Sequence, residues 1–375
     1  MSAPGATSTG LPCAPCLRRS WLVARLAAHI ELAWSARRGS AALLALDEAK
    51  LIDALAGERR DAIAAERGAF DVAAARRRCT AAGVIALCRC DDRCPAPLRD
   101  LPDAPAVVYV RGELGRFAHA LASARVAVVG ARRATPYGLE QARSLGRGLA
   151  AAGVTVVSGM ALGVDAAAHV GALEAEGLTI AVLACGPERP YPASKRRLHE
   201  RIAATGAAIS ELPPGTAPWR WCFPARNRII AALGQATVVV EAGERSGSLI
   251  TAGQAADLGR EVAAVPGLVT APLAAGTNAL IADGARLVRG PRDVLELLFG
   301  AEAQLCAVAA SSDDRRGALP PDLRALLERV SAGCDTVAAL AHEKTGIDAT
   351  LAGLAQLELQ GLVRRAAGGR YVAVA

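Results

Sequence analysis

Arginine, glycine and serine recur together where short β-branched runs of this chain end. Gly130-Ala-Arg132-Arg133-Ala-Thr135-Pro136 follows one such run, and Ser158-Gly159-Met-Ala-Leu-Gly163-Val-Asp165 follows the next. A longer stretch runs from Pro213 through Trp219-Arg220-Trp221-Cys-Phe223-Pro-Ala-Arg226-Asn-Arg228, and Glu244-Arg245-Ser246-Gly247-Ser248 closes the set. Small residues at a turn let an anion approach the backbone, and the free N–H groups of the next helix point at it. Arginine adds a fork of donors matched to phosphate oxygens. One turn of this kind is weak evidence, because Ser, Thr and Gly also cap helices. Four at one edge, three of them carrying arginine, point to a row of phosphates. Lys195, beside the remaining strand-to-helix loop, joins the candidate set.

The composition of these loops narrows the ligand. A dinucleotide site needs GxGxxG and a carboxylate near the end of the second strand. Here the first loop reads GARRAT and the second strand ends in Ser158-Gly159. No Walker A sequence occurs, so a triphosphate held by a lysine loop is not expected. Phosphate cradles side by side suit a polymer better than one cofactor, and no cofactor is expected. Aromatics make up only 3% of the chain, yet Trp219, Trp221 and Phe223 cluster around Arg220. Bases stack on such faces while arginine holds phosphates, which is how single strands bind without a sequence code. The plainer reading, in which these aromatics pin a long loop to its domain, stays open beside it.

Chemistry on a substrate has less support. Asp165 and His169 stand four apart on one helix face and could form an acid–base pair, but a cap and a packed histidine explain the same spacing. Glu241 ends a strand and Glu244 begins a loop, with no second carboxylate placed to partner either. No GxSxG elbow and no HExxH occur. No catalytic residue is expected.

The elements that must position these loops alternate. Strands are expected at Val126–Val129, Val154–Val157, Thr179–Leu183, Ala207–Ser210, Thr237–Glu241 and Glu261–Val265. Helices are expected at Tyr137–Ala152, Val164–Glu176, Ser194–Thr205, Arg226–Leu233 and Ser248–Leu258. This alternation predicts a doubly wound α/β domain with a mainly parallel sheet, and right-handed crossovers put all the strand-to-helix loops at one edge. The expected domains are a helical part over 1–106, the α/β part over 107–298, a linker over 299–317 and a tail over 318–375 of three helices and a hairpin around Gly368-Gly369. Their net charges are +3, +5, −1 and zero, which sum to the +7 of the chain.

With 375 residues, 52% of them hydrophobic, the chain can build its core without disulfides or metal. Composition excludes a collagen, a coiled coil and a wholly disordered chain. Of the 43 basic residues only Lys50, Lys195 and Lys344 are lysine. No apolar run is long enough to cross a bilayer uninterrupted. The stretch from Met1 to Pro15 lacks an apolar segment after a basic start, so no secretory signal is expected and the location expected is cytoplasmic. Ten cysteines remain. Cys13-Ala-Pro-Cys16 is a CxxC, and Cys88, Cys90 and Cys94 form a second cluster. The 71 residues between Cys16 and Cys88 read as helical, unlike a compact zinc ribbon, so reduced thiols without metal are the expectation.

Four blocks, VAVVGARRATPYG (126–138), VSGMALGVDAAAH (157–169), FPARNRIIA (223–231) and ERSGSLITA (244–252), together with AVPG (264–267), resemble the DNA-processing protein A (DprA, or Smf) family. The resemblance runs from about Val107 to Leu298. It implies a Rossmann-like domain that binds single-stranded DNA without hydrolysing it, dimerises, and hands the strand to a RecA-type recombinase during natural transformation. It places Arg132, Ser158, Gly159, Gly163, Arg226, Arg228, Ser246, Gly247 and Ser248 at the family's binding-loop positions. Gly130, Arg133, Lys195, Arg220, Phe223 and Arg245 complete the expected DNA site. The tail from Leu319 resembles the family's winged-helix domain; with no net charge, it is expected to contact protein more than duplex DNA. Two positions depart from the family pattern: Ala131 stands where serine is usual, and Leu162 where a basic residue is usual. The second would remove a phosphate contact, weakening binding unless Arg133 or Arg220 compensates. Leu268 to Ala275 also lacks the polar residues expected there. The alternative is a nucleotide phosphoribohydrolase-like enzyme of related architecture, but its PGGxGT pattern is missing where this chain reads EAGERSGSL.

Overall fold

The computed structural model describes residues 11–35, 40–300, 319–341, 346–359, 362–366 and 369–373. A 9-stranded sheet forms its centre, built from β1 (Ile85–Cys88), β2 (Val107–Gly112), β3 (Arg125–Val129), β4 (Thr155–Ser158), β5 (Thr179–Val182), β6 (Ala207–Ser210), β7 (Ala236–Val239), β8 (Glu261–Ala264) and β9 (Arg286–Leu287). The strand order is β1-β2-β6-β5-β4-β3-β7-β8-β9. From β3 to β9 every pairing is parallel, while β2 runs antiparallel to both β6 and β1. Strands β4 to β7 are buried along their whole length. Such strands carry continuous apolar runs because helices cover both faces. The chain leaves β3 toward β4, β5 and β6, then returns to pair β7 on the other side of β3. A crevice opens at the carboxyl ends of the strands where the winding reverses, between β3 and β7.

The helices between strands are Pro136–Ala151, Val164–Glu174, Arg196–Thr205, Cys222–Leu233 and Gly247–Asp257. Sequence periodicity places them within two residues, with one exception. The helix expected from Arg226 begins at Cys222 and takes in Phe223 and Pro224. Pro224 lies in the first turn, where a missing N–H costs no intrahelical bond.

The described residues before 107, expected as a helical part, lie in the same compact unit as the α/β part. β1 pairs with β2 in the same sheet. The helices Ala14–Arg25, Ala27–Ser35, Glu48–Leu55 and Arg60–Gly68 send Leu22, Leu26, Ile30, Leu51, Ile52 and Ile63 into one core with Leu212, Trp221, Cys222 and Ala225. Short strands such as Ile85–Cys88 lack the alternation that would have separated them from neighbouring helices. The chain divides into two compact units between Val294 and Leu295. The expected linker over 299–317 lies almost wholly outside the described residues. The second unit has helices Pro321–Ser331, Val337–Leu340 and Ile347–Leu359, and an antiparallel pair, β10 (Val363–Ala366) and β11 (Arg370–Ala373). Leu323, Leu327, Leu354, Leu357 and Tyr371 make its core. Among the described residues no helix is long and apolar enough to cross a membrane.

Trp221 decides one question the sequence left open. It is fully buried, and its indole N–H donates to the Ala27 carbonyl at 3.0 Å. It pins the long loop and is not a stacking platform. Trp221→Ala is expected to cost roughly 3–5 kcal/mol of stability in denaturant unfolding, whereas Trp219→Ala, at an exposed position, should stay within about 0.5 kcal/mol.

Candidate nucleic-acid interface

The loop after β3 is held from across the crevice. The Glu241 carboxylate accepts from the Thr135 amide at 2.8 Å and from the Thr135 hydroxyl at 2.5 Å, and the Glu241 carbonyl accepts from the Ala131 amide at 2.7 Å. The Glu241 side chain is therefore engaged in loop support. Ala131 works through its backbone: its carbonyl also accepts from the Val164 amide. With Gly130 and Thr135 fixed, Arg132 and Arg133 project from the loop and are exposed.

The loop after β4 wraps around Asp165. That carboxylate accepts from the amides of Gly159 and Ala161 at 3.1 and 3.3 Å. Burial pushes its pKa up, against the pull of Arg226 and of those two amides. Gly159 is required here, because a Cβ would overlap the Arg226 guanidinium. Gly163 caps the next helix at φ +81°, with the Ala131 carbonyl where a side chain would begin. The loop after β7 ends in Ser246, whose hydroxyl accepts from the Ser248 amide at the start of helix Gly247–Asp257.

Three concavities adjoin along this rim, and Arg132 lines all of them. The first, about 430 Å³, lies between Trp34, Gly130, Phe223, Arg226 and the Ser246–Ser248 turn. The second runs past Gly159, Leu162, Tyr191 and Phe223. The third, about 590 Å³, continues over Arg133, Gly163 and Lys195. Arg132 lies over the Phe223 ring at 5.0 Å, and the Tyr191 ring meets Phe223 at 5.5 Å. Arg220 is exposed and lies 5.8 Å from the Trp34 ring. Among the described residues, no carboxylate lies within ion-pair distance of Arg132, Arg133, Lys195, Arg220 or Arg245. Arg245 is exposed on the loop after β7 but lines none of the three concavities.

Several expected contacts turn out to be internal. Arg228 is buried, paired with Asp103 at 2.8 Å and Glu211 at 2.7 Å, and it also donates to the carbonyls of Ala225 and Asp103. It joins three segments and has no donor to offer a phosphate at the surface. Ser158 is buried and donates to the Val128 carbonyl at 2.6 Å. Ser248 is nearly buried, with its hydroxyl on Ser246. Arg226 is also buried, yet it lines the first two concavities, and its Nε has no hydrogen-bond partner among the described residues. It places fixed positive charge beneath the track. Asp165 and His169 make no pair. Thr179 donates its hydroxyl to the Val156 carbonyl, so His169 Nδ1 donates to Thr179 at 2.7 Å. The residues the sequence did not mark are Tyr191 and Trp34. Tyr191 lies in the loop after β5, at the same sheet edge, but without the Gly-Ser-Arg composition of the other loops. Trp34 carried no signal, because its place depends on how the helical region packs.

A family model described as DNA recombination-mediator protein A matches residues 86–299. Protein Smf of Escherichia coli is 40% identical over 285 residues, covering 73% of this chain and 74% of that protein. The chain belongs to this family. A DNA processing protein DprA of Mycobacterium tuberculosis, described as putative, is 52% identical over 172 residues, which span 46% of this chain and 44% of that relative. The X-ray structure of DNA processing protein A from Streptococcus pneumoniae superposes with TM-score 0.60 at 33% identity, covering 75% of this chain and 95% of that one. The protein from Helicobacter pylori, whose structure was described for its single-stranded DNA binding mode, superposes with TM-score 0.52 at 29% identity, over 57% of this chain and 95% of that one. Against the family pattern, Leu162 puts an exposed apolar side chain on the rim of the second concavity.

Two outcomes follow from the buried groups. Arg228→Ala leaves Asp103 and Glu211 uncompensated in the interior and should lower stability by about 3–5 kcal/mol in urea unfolding. Burial and Arg226 depress the His169 pKa from 6.5 to about 3, and burial lowers that of His199. A depressed folded-state pKa means that unfolding takes up protons below the unfolded value. The histidine contribution to stability is therefore full above pH 6.5 and is lost as pH falls toward 3. In urea titrations between pH 7 and pH 5 the histidine contribution is read as the difference between the unaltered chain and His169→Gln, with the chain losing stability relative to the variant as pH falls; the opposite contribution of Asp165, whose pKa burial raises, is common to both.

Proposed function

We propose that this chain binds single-stranded DNA along the rim formed by the loops after β3, β4, β5 and β7, and that it does so without hydrolysing the strand. The observation that carries this reading is the run of three adjoining concavities that share Arg132 and are flanked by unpaired basic side chains. Arg132, Arg133, Lys195 and Arg220 supply charge for phosphates, Gly130, Gly159 and Gly163 let the loops pack closely beneath them, Gly247 has open space where a strand can approach the backbone, and Phe223 with Tyr191 offers faces for bases. Single-strand binding described for the H. pylori relative supports the same reading. Arg228, Ser158 and Ser248 support the loops in this scheme, and Arg245 adds peripheral charge.

The finer role is a mediator that protects incoming DNA and loads a RecA-type recombinase during natural transformation, acting as a homodimer in the cytoplasm. Membership of the recombination-mediator family supports it. The second unit, three helices and an antiparallel ribbon, reads as a winged helix. Its six basic and six acidic residues over 318–375 balance, which favours a protein contact over duplex DNA.

A gel shift of single against double strands at two salt concentrations, without nucleotide or metal, tests the main claim. Single strands should bind in preference, and affinity should fall with salt. Replacing Arg132 and Arg133 by Ala should weaken binding to all sequences alike and reduce the slope of log K against log salt by about 0.7 for each phosphate no longer neutralised. Tyr191→Ala or Phe223→Ala should cost about 1–3 kcal/mol per unstacked base. Unchanged affinity and slope in the double arginine variant would overturn this assignment.

A further inference from the structure

Away from the sheet edge, the fold brings together two cysteine pairs that the sequence keeps apart. Cys13 is the N-cap of helix Ala14–Arg25, and Cys16 lies in its first turn. Cys88 is the last residue of β1, and Cys90 sits in the turn that follows, closed by the Asp91 amide on the Cys88 carbonyl at 2.8 Å. The four sulfur atoms lie within 4.8 Å of one another. Cys16 Sγ and Cys90 Sγ are 3.8 Å apart. A disulfide needs about 2.05 Å. Two thiolates on one tetrahedral zinc, each about 2.3 Å from the ion, stand about 3.8 Å apart.

We propose that Cys13, Cys16, Cys88 and Cys90 bind one zinc ion as a closed tetrathiolate site. Four converging sulfurs with no carboxylate or imidazole among them select a soft, tetrahedral metal. Their closeness fits a single ion and leaves no room for a multi-iron cluster between them. Cys16 and Cys88 pack into an apolar cluster with Leu17, Val84, Ala86, Val107 and Tyr109, which keeps one side of the site dry. The cavity beside Cys13, Cys16 and Cys90 is lined by both signs of charge, Arg19 and Arg89 with Asp47, Glu48 and Asp103; the loaded centre would be dianionic. Binding replaces four S–H bonds by four S–Zn bonds and releases the protons to solvent, so affinity falls as pH falls. With all four positions taken by protein, the site is structural, and it fastens the first helix to the edge of the sheet. Cys94 is excluded: it packs instead with Leu87 and Leu98 in the main core.

The test uses the full chain expressed with zinc in the medium and dialysed against a weak chelator. Metal analysis should find one zinc per chain, and a mercurial should release it. Cobalt put in its place should give the ligand-field bands of a tetrahedral site, with thiolate charge-transfer intensity for four sulfurs. Cys90→Ser should lose the zinc, Cys94→Ser should keep it, and Cys90→His should keep a metal while its cobalt spectrum moves to three sulfurs and one nitrogen. A wild-type chain without zinc, a Cys16–Cys90 disulfide in non-reducing peptide maps, a cobalt spectrum with fewer than four thiolates, or full zinc in Cys90→Ser would each overturn the proposal. None of these readouts depends on nucleic acid.

Discussion

One carboxylate spanning the crevice sets the geometry of everything at the sheet edge. Glu241, buried at the end of β7, takes both the amide and the hydroxyl of Thr135, while its carbonyl takes the amide of Ala131. Both ends of the loop after β3 are thereby tied to the neighbouring strand across the point where the winding of the sheet reverses. The two arginines between those ends are exposed, with Arg132 over the Phe223 ring at the crevice. A parallel sheet makes this arrangement possible, because β3 and β7 end side by side with their carboxyl termini pointing the same way.

The arginines of the rim divide by environment into two kinds with different work. Arg228 is enclosed by Asp103 and Glu211, and burial of an ion triad of this sort yields position more than net stability. It joins the segment before β2, the turn after β6 and the helix that carries the FPARN motif. Arg226 lies beneath the loop after β4, near Asp165 but without full pairing, and contributes a fixed field. Arg132, Arg133 and Arg220 stand in solvent, where guanidinium groups can exchange water for another anion at small cost. The loops are therefore stiffened from below by buried charge and offer unpaired charge above.

The helical region at the N-terminal side takes part in this architecture. Its core is continuous with Trp221 and Ala225, and it delivers Trp34 to the first concavity. The cysteine quartet lies where this region meets β1, so metal binding there would secure the same packing from the opposite end.

What the residues alone determined was the part governed by local rules. Alternating apolar runs and helical periodicity located the strands from Arg125 to Ala264, and small residues at their ends located the loops that meet at one edge. The resemblance carried by the four motif blocks supplied the family. Local rules could not tell Arg132 from Arg228, or Phe223 from Trp221, because the same side chain is a surface donor or a buried strut depending on which segments close over it. They also could not bring Cys13 and Cys16 to Cys88 and Cys90, or Tyr191 and Trp34 to the rim. Those neighbours arise from contacts between residues far apart in the chain, and only the packing of helices against the sheet sets such distances.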